Sequence, residues 1–283
     1  MRKTALATAL TALFLASAGA RAQAPAAAAE PATPPALTGN LALVTDYRFR
    51  GISQTYKLPA VQGGIDYAHA SGFYLGTWAS NVSGNMYPNG AGLEWDFYGG
   101  YKGTLSGDLG FDVGLLYYWY PGAYYNVATK DKFNNTELYA ALSYKWMSLK
   151  YSHTLSDFFG VKNNTYGAAC QSGLSGDATD CFAAAPGNSR GSGYLDFTAN
   201  YPINDKLTLV GHIGHQSVRH YGKLNYTDWK LGVNYDLNGW VLGAAYVDTN
   251  AKKGWYTVTE PGSPTSYKKV GEATLVLSVT KSF

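Results

Sequence analysis

The sequence predicts an all-β fold, an antiparallel transmembrane β-barrel of about 12 strands with short periplasmic turns and long extracellular loops. Three observations predict it. Apolar and polar residues alternate through about a dozen segments, the connections between these segments alternate in length, and the chain ends in an amphipathic segment that closes on Phe283. Side chains point alternately to the two faces of a strand, so each segment has one apolar and one polar face.

The chain begins with the features of a secretory signal peptide, which we assign to residues 1–22. Arg2 and Lys3 precede an apolar run, and small residues flank position 21. This pattern predicts cleavage after Ala22, with cleavage after Ala20 as the alternative. The protein is therefore expected to leave the cytoplasm.

The segment after the signal peptide, residues 23–36, is rich in Ala and Pro and is predicted to form a disordered periplasmic tether. Residues 37–283 are left for the barrel. The full chain has a formal charge of +3, and loss of residues 1–22 removes three basic residues and brings the charge to about zero. A nucleic-acid partner is therefore not expected.

The period-two pattern assigns twelve strands of about 9 to 14 residues, a length that suits tilted strands crossing a bilayer. They lie near residues 37–50, 59–68, 72–82, 92–103, 109–120, 136–146, 148–157, 193–201, 206–217, 226–236, 240–249 and 271–283. The connections alternate between long loops, from 51–58 onward, and short turns, from 69–71 onward. Bacterial outer-membrane barrels alternate in this way, with both termini on the periplasmic side.

Aromatic residues fall near the strand ends on the predicted outward face, where Trp and Tyr rings suit the membrane interfaces. We place Tyr47, Phe49, Trp95, Tyr117, Trp119 and Trp229 at the extracellular ends, and Tyr101, Tyr144, Trp146, Tyr201, Tyr235 and Phe283 at the periplasmic ends. Lys281 is the one outward charge within a strand, close enough to the end to reach the interface. The last strand resembles the closing strand of outer-membrane barrels, which implies that Phe283 is the signal read by the barrel-insertion machinery.

Charged residues take the opposite parity and are predicted to line the lumen, because a basic residue facing the bilayer midplane costs about 2–4 kcal/mol. They are Asp46, Arg48, Arg50, Asp66, Glu94, Asp96, Lys102, Asp112, Glu137, Lys145, Lys150, Asp196, Asp228, Lys230, Asp248 and Glu272. Ten are acidic and six are basic, so an open pore would weakly prefer cations. Asp46, Arg48 and Arg50 share a face of the first strand opposite Asp66, and form either a charged constriction or an internal salt-bridge network.

Two cysteines, Cys170 and Cys181, lie in a loop rich in Gly, Ser and Ala. In an exported protein they are expected to form a disulfide, and no neighbouring His suggests a metal site. The loop 158–192 that holds them, and the lysine-bearing loop 250–270, offer a surface for a ligand or for lipopolysaccharide phosphates. Solvated loop charge is the alternative reading of these lysines.

Specific motifs lie in the first third of the chain. They are Asp46–Thr55, Pro59–Tyr67, Gly72–Val82 and Glu94–Tyr101. Together they resemble the TorF-type porin family of proteobacterial outer-membrane proteins. The resemblance implies a channel-type barrel in the outer membrane of a Gram-negative bacterium, extending from about residue 39 to the end, with the cysteine loop as a local elaboration.

The function expected from these features is passive diffusion of small polar or charged solutes or ions through the barrel, without a cofactor, in contact with outer-membrane lipid and lipopolysaccharide. Twelve strands predict a narrow path. A surface-binding or adhesion barrel with a side-chain-filled lumen is the alternative. A barrel-embedded lipid hydrolase is disfavoured, because the adjacent Ser152 and His153 point to opposite faces and no Gly-x-Ser-x-Gly motif occurs. The oligomeric state is left open.

Overall fold

The computed structural model describes residues 36–283 apart from 88, 90, 91, 126, 127, 168, 170–180, 183–185, 261 and 262. The predicted signal peptide and nearly all of the predicted tether lie outside these residues and stay predictions. The described residues form a closed antiparallel barrel of twelve strands, so the predicted fold class is confirmed.

Each barrel strand pairs with its neighbours in chain order, and the last pairs with the first. The strands are β1 Ala36–Val44, β2 Ala60–Ala68, β3 Phe73–Asn81, β4 Leu93–Ser106, β5 Leu109–Trp119, β6 Asn135–Tyr144, β7 Met147–Thr154, β8 Gly193–Pro202, β9 Leu207–Ser217, β10 Tyr226–Leu237, β11 Trp240–Thr249 and β12 Thr274–Ser282.

The seam between β1 and β12 closes the sheet. Asn40 lies opposite Ser282. Beyond that pair, the Gly39 N–H donates to the Phe283 carbonyl at 2.7 Å and the Phe283 N–H donates to the Gly39 carbonyl at 3.0 Å. Because closure leaves no strand edge unpaired, the terminal residue contributes directly to the barrel.

The connections confirm the predicted alternation. Five join strands at what we call the short-turn end: 69–72, 107–108, 145–146, 203–206 and 238–239. The others lie at the long-loop end: 45–59, 82–92, 120–134, 155–192, 218–225 and 250–273. The long loops carry short 3-10 turns, a π turn at Asn163–Gly167 and a hairpin of Thr257–Glu260 with Ser263–Lys269. Within the described residues, no helix combines the length and apolar character that a bilayer span requires.

The outer face of the barrel is apolar. Leu37 is 72% exposed, Leu75 65%, and Leu231 and Leu275 are each 61% exposed. Aromatic rings lie at the strand ends of this face, as predicted for Trp95, Tyr117, Trp229, Tyr101, Tyr144, Tyr201, Tyr235 and Phe283. Lys281 places its ammonium group 5.5 Å from the Trp240 ring centre near the short-turn end.

The first strand is shorter than predicted, and two of the predicted outward aromatics are inside. β1 ends at Val44, where Thr45 closes the ladder by accepting a hydrogen bond on its side chain from the Leu277 N–H at 3.0 Å. The chain then turns into the barrel, and Tyr47 and Phe49 become 2% and 7% exposed. Their predicted place in the outer aromatic band is therefore wrong.

Two charged residues also differ from their predicted inward positions. Lys145 lies in the two-residue turn between β6 and β7, with φ of 53°, and not on the barrel wall. Asp248 shares the strand parity of Leu242 and Tyr246, both exposed on the outer face. The prediction that Asp248 lines the lumen is wrong, because the register of β11 turns this rim carboxylate outward.

Candidate functional site in the barrel lumen

Ten predicted charges occupy inward positions of barrel strands: Asp66, Glu94, Asp96, Lys102, Asp112, Glu137, Lys150, Asp196, Asp228 and Lys230. Their burial changes along the barrel axis. Glu94 and Glu137, near the long-loop end, are each 1% exposed, whereas Asp66 and Lys102, nearer the short-turn end, are half-buried. Solvent therefore reaches the part of the lumen nearer the short-turn end, which we call the lower lumen. The part nearer the long-loop end, the upper lumen, is covered by another segment of the chain.

The cover is the connection between β1 and β2. We call residues 46–56 the inserted segment, and all of them are buried. Arg48–Phe49 pairs with Ile52–Ser53 as a small hairpin. Its two turn residues, Arg50 and Gly51, have φ of 47° and 79°, the left-handed pair that a two-residue hairpin turn requires. Asp46, Arg48 and Arg50 therefore lie on the inserted segment and not on the first barrel strand, which corrects their predicted position.

The tip of the hairpin meets the far wall. Arg50 Nη2 lies 2.7 Å from Glu137 Oε2, and Arg50 Nη1 donates to Gln216 Oε1 at 2.7 Å. The guanidinium carbon lies 4.2 Å from the Tyr194 ring centre and 4.7 Å from that of Phe49. Although burial alone lowers it, the Glu137 carboxylate holds the pKa of Arg50 above its ordinary value. One arginine thus connects the hairpin to β6, β8 and β9.

Gly51 allows the close approach of the hairpin to β10 and β11. A Cβ at this position would lie 2.4 Å from Thr249 Cγ2 and 2.7 Å from Asp228 Cβ. A residue with a Cβ at position 51 would therefore force shifts of the backbone or of these side chains. Only glycine meets both the left-handed φ and the lack of space.

The base of the hairpin is fixed by Asp46 and Arg48. Asp46 accepts from Arg48 Nε and from the Ser53 hydroxyl, each at 2.6 Å. Arg48 Nη1 donates to the carbonyls of Gly51, Val270 and Glu272 at 2.9–3.0 Å. These contacts favour the salt-bridge network of the two predicted alternatives. The carboxylate of Asp66, on β2, accepts from the Tyr98 hydroxyl.

Glu272 lies just before β12, at the mouth of the long-loop end. Its carboxylate is 3.3 Å from Lys269 Nζ and 3.7 Å from Lys57 Nζ. The side chain is 41% exposed, so it marks the rim and not the interior.

Aromatic side chains fill the space beside the hairpin. The Tyr47 hydroxyl donates to Glu94 Oε1 at 2.7 Å, and the Tyr120 hydroxyl donates to Glu94 Oε2 at 2.9 Å. Tyr47 packs edge-on against Trp78 at 5.5 Å, and Phe49 packs against Tyr118 at 5.6 Å. The buried cluster consists of Val44, Tyr47, Phe49, Ala60, Trp78, Val82, Tyr87, Leu116, Tyr118, Tyr120, Ala123, Phe133 and Tyr139.

Along the inner wall, tyrosines cross neighbouring strands at glycines. Tyr74 on β3 crosses Gly100 of β4 and donates its hydroxyl to Asp112 Oδ1 on β5 at 2.5 Å. The same arrangement recurs for Tyr98, Gly76 and Asp66, and for Tyr194, Gly214 and Asp228. Tyr139 crosses Gly114 to reach the Tyr74 hydroxyl. Each tyrosine spans one strand, so the carboxylates are held to the wall.

His212 joins three strands on one side of the lumen. Its Nε2 lies 2.8 Å from Asp228 Oδ2 on β10, and its Nδ1 lies 3.3 Å from Asp196 Oδ2 on β8. Both ring nitrogens face carboxylate oxygens, and only the doubly protonated imidazolium can donate to both. No local sequence signal identifies the cross-strand pair of acids around His212.

Lumen lysines lie over tyrosine rings. Lys150 Nζ is 4.0 Å from the Tyr139 ring centre, and Lys102 Nζ is 5.5 Å from that of Tyr74. Cation–π contact of this kind favours a desolvated ammonium group on an aromatic wall.

The long loops pack over the barrel mouth. Phe182 contacts Trp255 at 4.2 Å and Tyr221 at 5.0 Å, which links three loops in one apolar cluster. Asp131 and Lys162 join two loops through a 2.7 Å ion pair. Hydrogen bonds from Lys162 and then Thr129 lower the pKa of Asp131. The predicted Cys170–Cys181 disulfide stays a prediction, because Cys170 lies outside the described residues.

Two histidines of the barrel wall, His153 and His215, contact hydroxyl groups. His153 lies next to Ser152 on β7, with its Nδ1 3.5 Å from the Tyr151 hydroxyl. His215 contacts the Thr227 hydroxyl at 2.9 Å. Among the described residues, no group of three or more His, Cys, Asp or Glu side chains is placed to hold a metal ion.

Residues 28–283 match the family model Gcw_chp, described as a bacterial protein of unknown function. The chain belongs to this family. No curated protein matches the chain.

Among solved structures, the Gcw_chp chain is similar to outer-membrane porins. The KdgM porin in complex with disordered oligogalacturonate is 9% identical with a TM-score of 0.49, over 88% of this chain and 99% of that one. The COG4313 outer membrane channel from Pseudomonas putida F1 is 11% identical with a TM-score of 0.45, over 90% and 98%. The NanC porin is 11% identical with a TM-score of 0.45, over 87% and 98%.

Proposed function

We propose that this Gcw_chp protein is a TorF-type outer-membrane channel for passive diffusion of small polar or charged solutes. One observation carries the proposal: a closed barrel exposes an apolar outer face and encloses ionisable side chains. Exposure of Leu37, Leu75 and Leu275 to water would be unfavourable, whereas lipid would cover these side chains. Carboxylates and ammonium groups of the lumen then face a polar path.

The solute path runs from the short-turn end upward. Half-buried Asp66, Lys102 and Asp112 line the lower lumen, and the inserted segment narrows the upper lumen. The proposed pore-lining residues are those on the inner wall, whereas Asp46, Arg48 and Arg50 belong to the narrowing segment. Passage needs no cofactor, because diffusion through a pore involves no chemical step.

The proposed location is the outer membrane of a Gram-negative bacterium. It is supported by the signal-peptide pattern and by the aromatic bands. The outer face would contact lipid and, at the long-loop end, lipopolysaccharide. The role of Phe283 as an insertion signal for the barrel-insertion machinery is supported by its place at the β1–β12 seam.

A surface-binding barrel with a filled lumen is the second candidate, favoured by the burial of the whole inserted segment. A planar-bilayer experiment separates the two. Val44 and Ala60 are paired neighbours, so a short Gly/Ser linker can replace residues 46–56 without opening the barrel. The channel proposal predicts stepwise ionic current from this variant. A correctly folded variant that carries no current would reject the channel in favour of the filled barrel.

A further inference from the structure

We propose that the inserted segment is a displaceable gate and that Arg50 is its latch. The inference rests on the proposed channel function. It goes further in two respects. The inserted segment blocks the upper lumen in the resting state, and breaking one buried ion pair frees the segment.

The first support is the course of the segment across the lumen. It leaves the wall between β1 and β2, and its side chains contact Glu94 on β4, Glu137 on β6 and Gln216 on β9. A segment that starts at one side of a closed barrel and bonds to these strands must cross its interior. A solute in the upper lumen would meet this hairpin.

The second support is that the hairpin is not part of the barrel ladder. Its strands, Arg48–Phe49 and Ile52–Ser53, pair with each other as a separate two-stranded sheet. Displacing the hairpin therefore breaks none of the pairings that close the barrel. The contacts to be lost are side-chain bonds, the buried packing of Tyr47, Phe49, Ile52 and Tyr56, and a few backbone bonds, such as the Ser53 N–H to the Val270 carbonyl at 2.9 Å.

The third support is backbone strain at the tip of the hairpin and at its return to β2. Arg50 at the tip, and Tyr56 and Lys57 at the return to β2, have φ of 47°, 57° and 57°. Left-handed conformations are costly for residues other than glycine, and they persist only where surrounding contacts impose them. Leu58, which follows, is 52% exposed, so the joint to β2 is open to solvent.

The latch is the contact that holds this strained hairpin against the far wall. The Arg50 and Glu137 side chains are 2% and 1% exposed, and their nitrogen and oxygen atoms are 2.7 Å apart. Removing one member of a buried pair leaves the other charge uncompensated, which strongly disfavours the seated state. The outward position then becomes favoured, because it returns the remaining charge to water.

Single-channel recording of the full chain tests the latch. We expect Arg50→Met and Glu137→Gln each to raise the open probability at least about tenfold, a shift that needs only about 1.4 kcal/mol. The double variant should exceed either single variant only slightly, since both remove the same pair. Arg219→Met is the matched control: Arg219 donates to the Arg190 carbonyl on an outer loop, and its loss should leave gating unchanged.

A reversible disulfide tests whether the added current requires movement of the hairpin or comes only from the smaller side chain at position 50. Ser53→Cys with Val270→Cys, in the Arg50→Met background, joins the hairpin to the loop before β12. Oxidation should suppress the added current and reduction should restore it. The same treatments on Arg50→Met alone control for the native cysteines.

The outcomes separate the gate from the channel. If the latch variants conduct as the parent does while the variant without residues 46–56 conducts freely, the segment is a fixed part of the lumen and the gate is rejected. If oxidation of the cysteine pair leaves the current unchanged in a fully cross-linked sample, the gate is also rejected. If the variant without residues 46–56 carries no current, the channel itself fails and the gate fails with it.

Discussion

Arg50 Nη2 lies 2.7 Å from Glu137 Oε2, so the tip of a hairpin that leaves the wall after β1 is bonded to β6 across the lumen. The pairing explains how the Arg50 and Glu137 charges are tolerated in the buried upper lumen, where an unpaired charge would be destabilising. A buried charge is tolerated when it is paired and hydrogen-bonded. The pair also holds the inserted segment against the buried Glu137 in the upper lumen, whereas Asp66 and Lys102 in the lower lumen are half-buried.

The close approach of Gly51 to the far wall gives a prediction about gating. In Gly51→Ala, the added Cβ would meet Thr249 and Asp228 in a left-handed conformation, so the hairpin tip cannot seat as before. We expect more frequent channel openings in planar bilayers with the same maximal conductance. Closures as long as those of the parent would show that the tip does not depend on this contact.

The tyrosines that cross glycines give a prediction about stability. In Gly100→Ala, the Cβ would lie 2.3 Å from the Val113 carbonyl oxygen and 2.5 Å from the Tyr74 hydroxyl. We expect the free energy of unfolding to fall by about 1–3 kcal/mol, as for other overpacked sites. Urea unfolding in detergent measures this. Gly92→Ala is the control, because nothing lies within 4 Å of its Cβ. Equal stabilities of the two variants would argue against the crowded wall.

The Asp131–Lys162 pair gives a prediction about pH. The pKa of Asp131 is lowered in the folded state, so the pair stabilises the loops above the unfolded value, about 3.9, and the stabilisation is lost as the pH falls through the folded value. Asp131→Asn should therefore increase protease cleavage of loop 120–134 near neutral pH. Parent and variant should become alike at about pH 2 with an acid-active protease. A difference that persists there would contradict the pair as its cause.

The inner-wall charges give a prediction about ion selectivity. The inner wall and the inserted segment together carry eight carboxylates and five Lys or Arg side chains. We expect weak cation preference in the reversal potential under a salt gradient, as the sequence predicts. Asp66→Asn should reduce this preference, and Asp248→Asn on the outer face should not. Clear anion preference in the parent would overturn the prediction.

Strand parity explains how much the sequence could predict. A run such as Thr274–Ser282 has one apolar and one polar face, and a closed barrel with a polar interior turns the apolar face outward, which fixes the register of the strand. The same parity rule failed at residues 46–50, where charged and aromatic residues also alternate. Both faces of this segment are buried inside the barrel. Its alternation of charged and aromatic residues therefore reflects a hairpin that packs against the inner wall on both faces, and not a strand of the wall.

Contacts between distant strands could not be predicted from spacing. The pairing of His212 with Asp196 and Asp228 depends on the registers of three strands, and the crossing of Tyr74 over Gly100 depends on two. Inward glycines at 76, 100, 114 and 214 were the available signal, since a small residue on a wall of large ones indicates a close neighbour.

Neighbouring residues on β10 test whether the inner face of the barrel lines a solute path. Lys230 is on the inner face and Leu231 on the outer face, 61% exposed. Each is replaced by cysteine in the variant without residues 46–56, and a charged thiol reagent is added during single-channel recording. Modification at position 230 should reduce the current, whereas modification at position 231 should leave it unchanged. Block from position 231 with none from position 230 would contradict the assignment of the two faces.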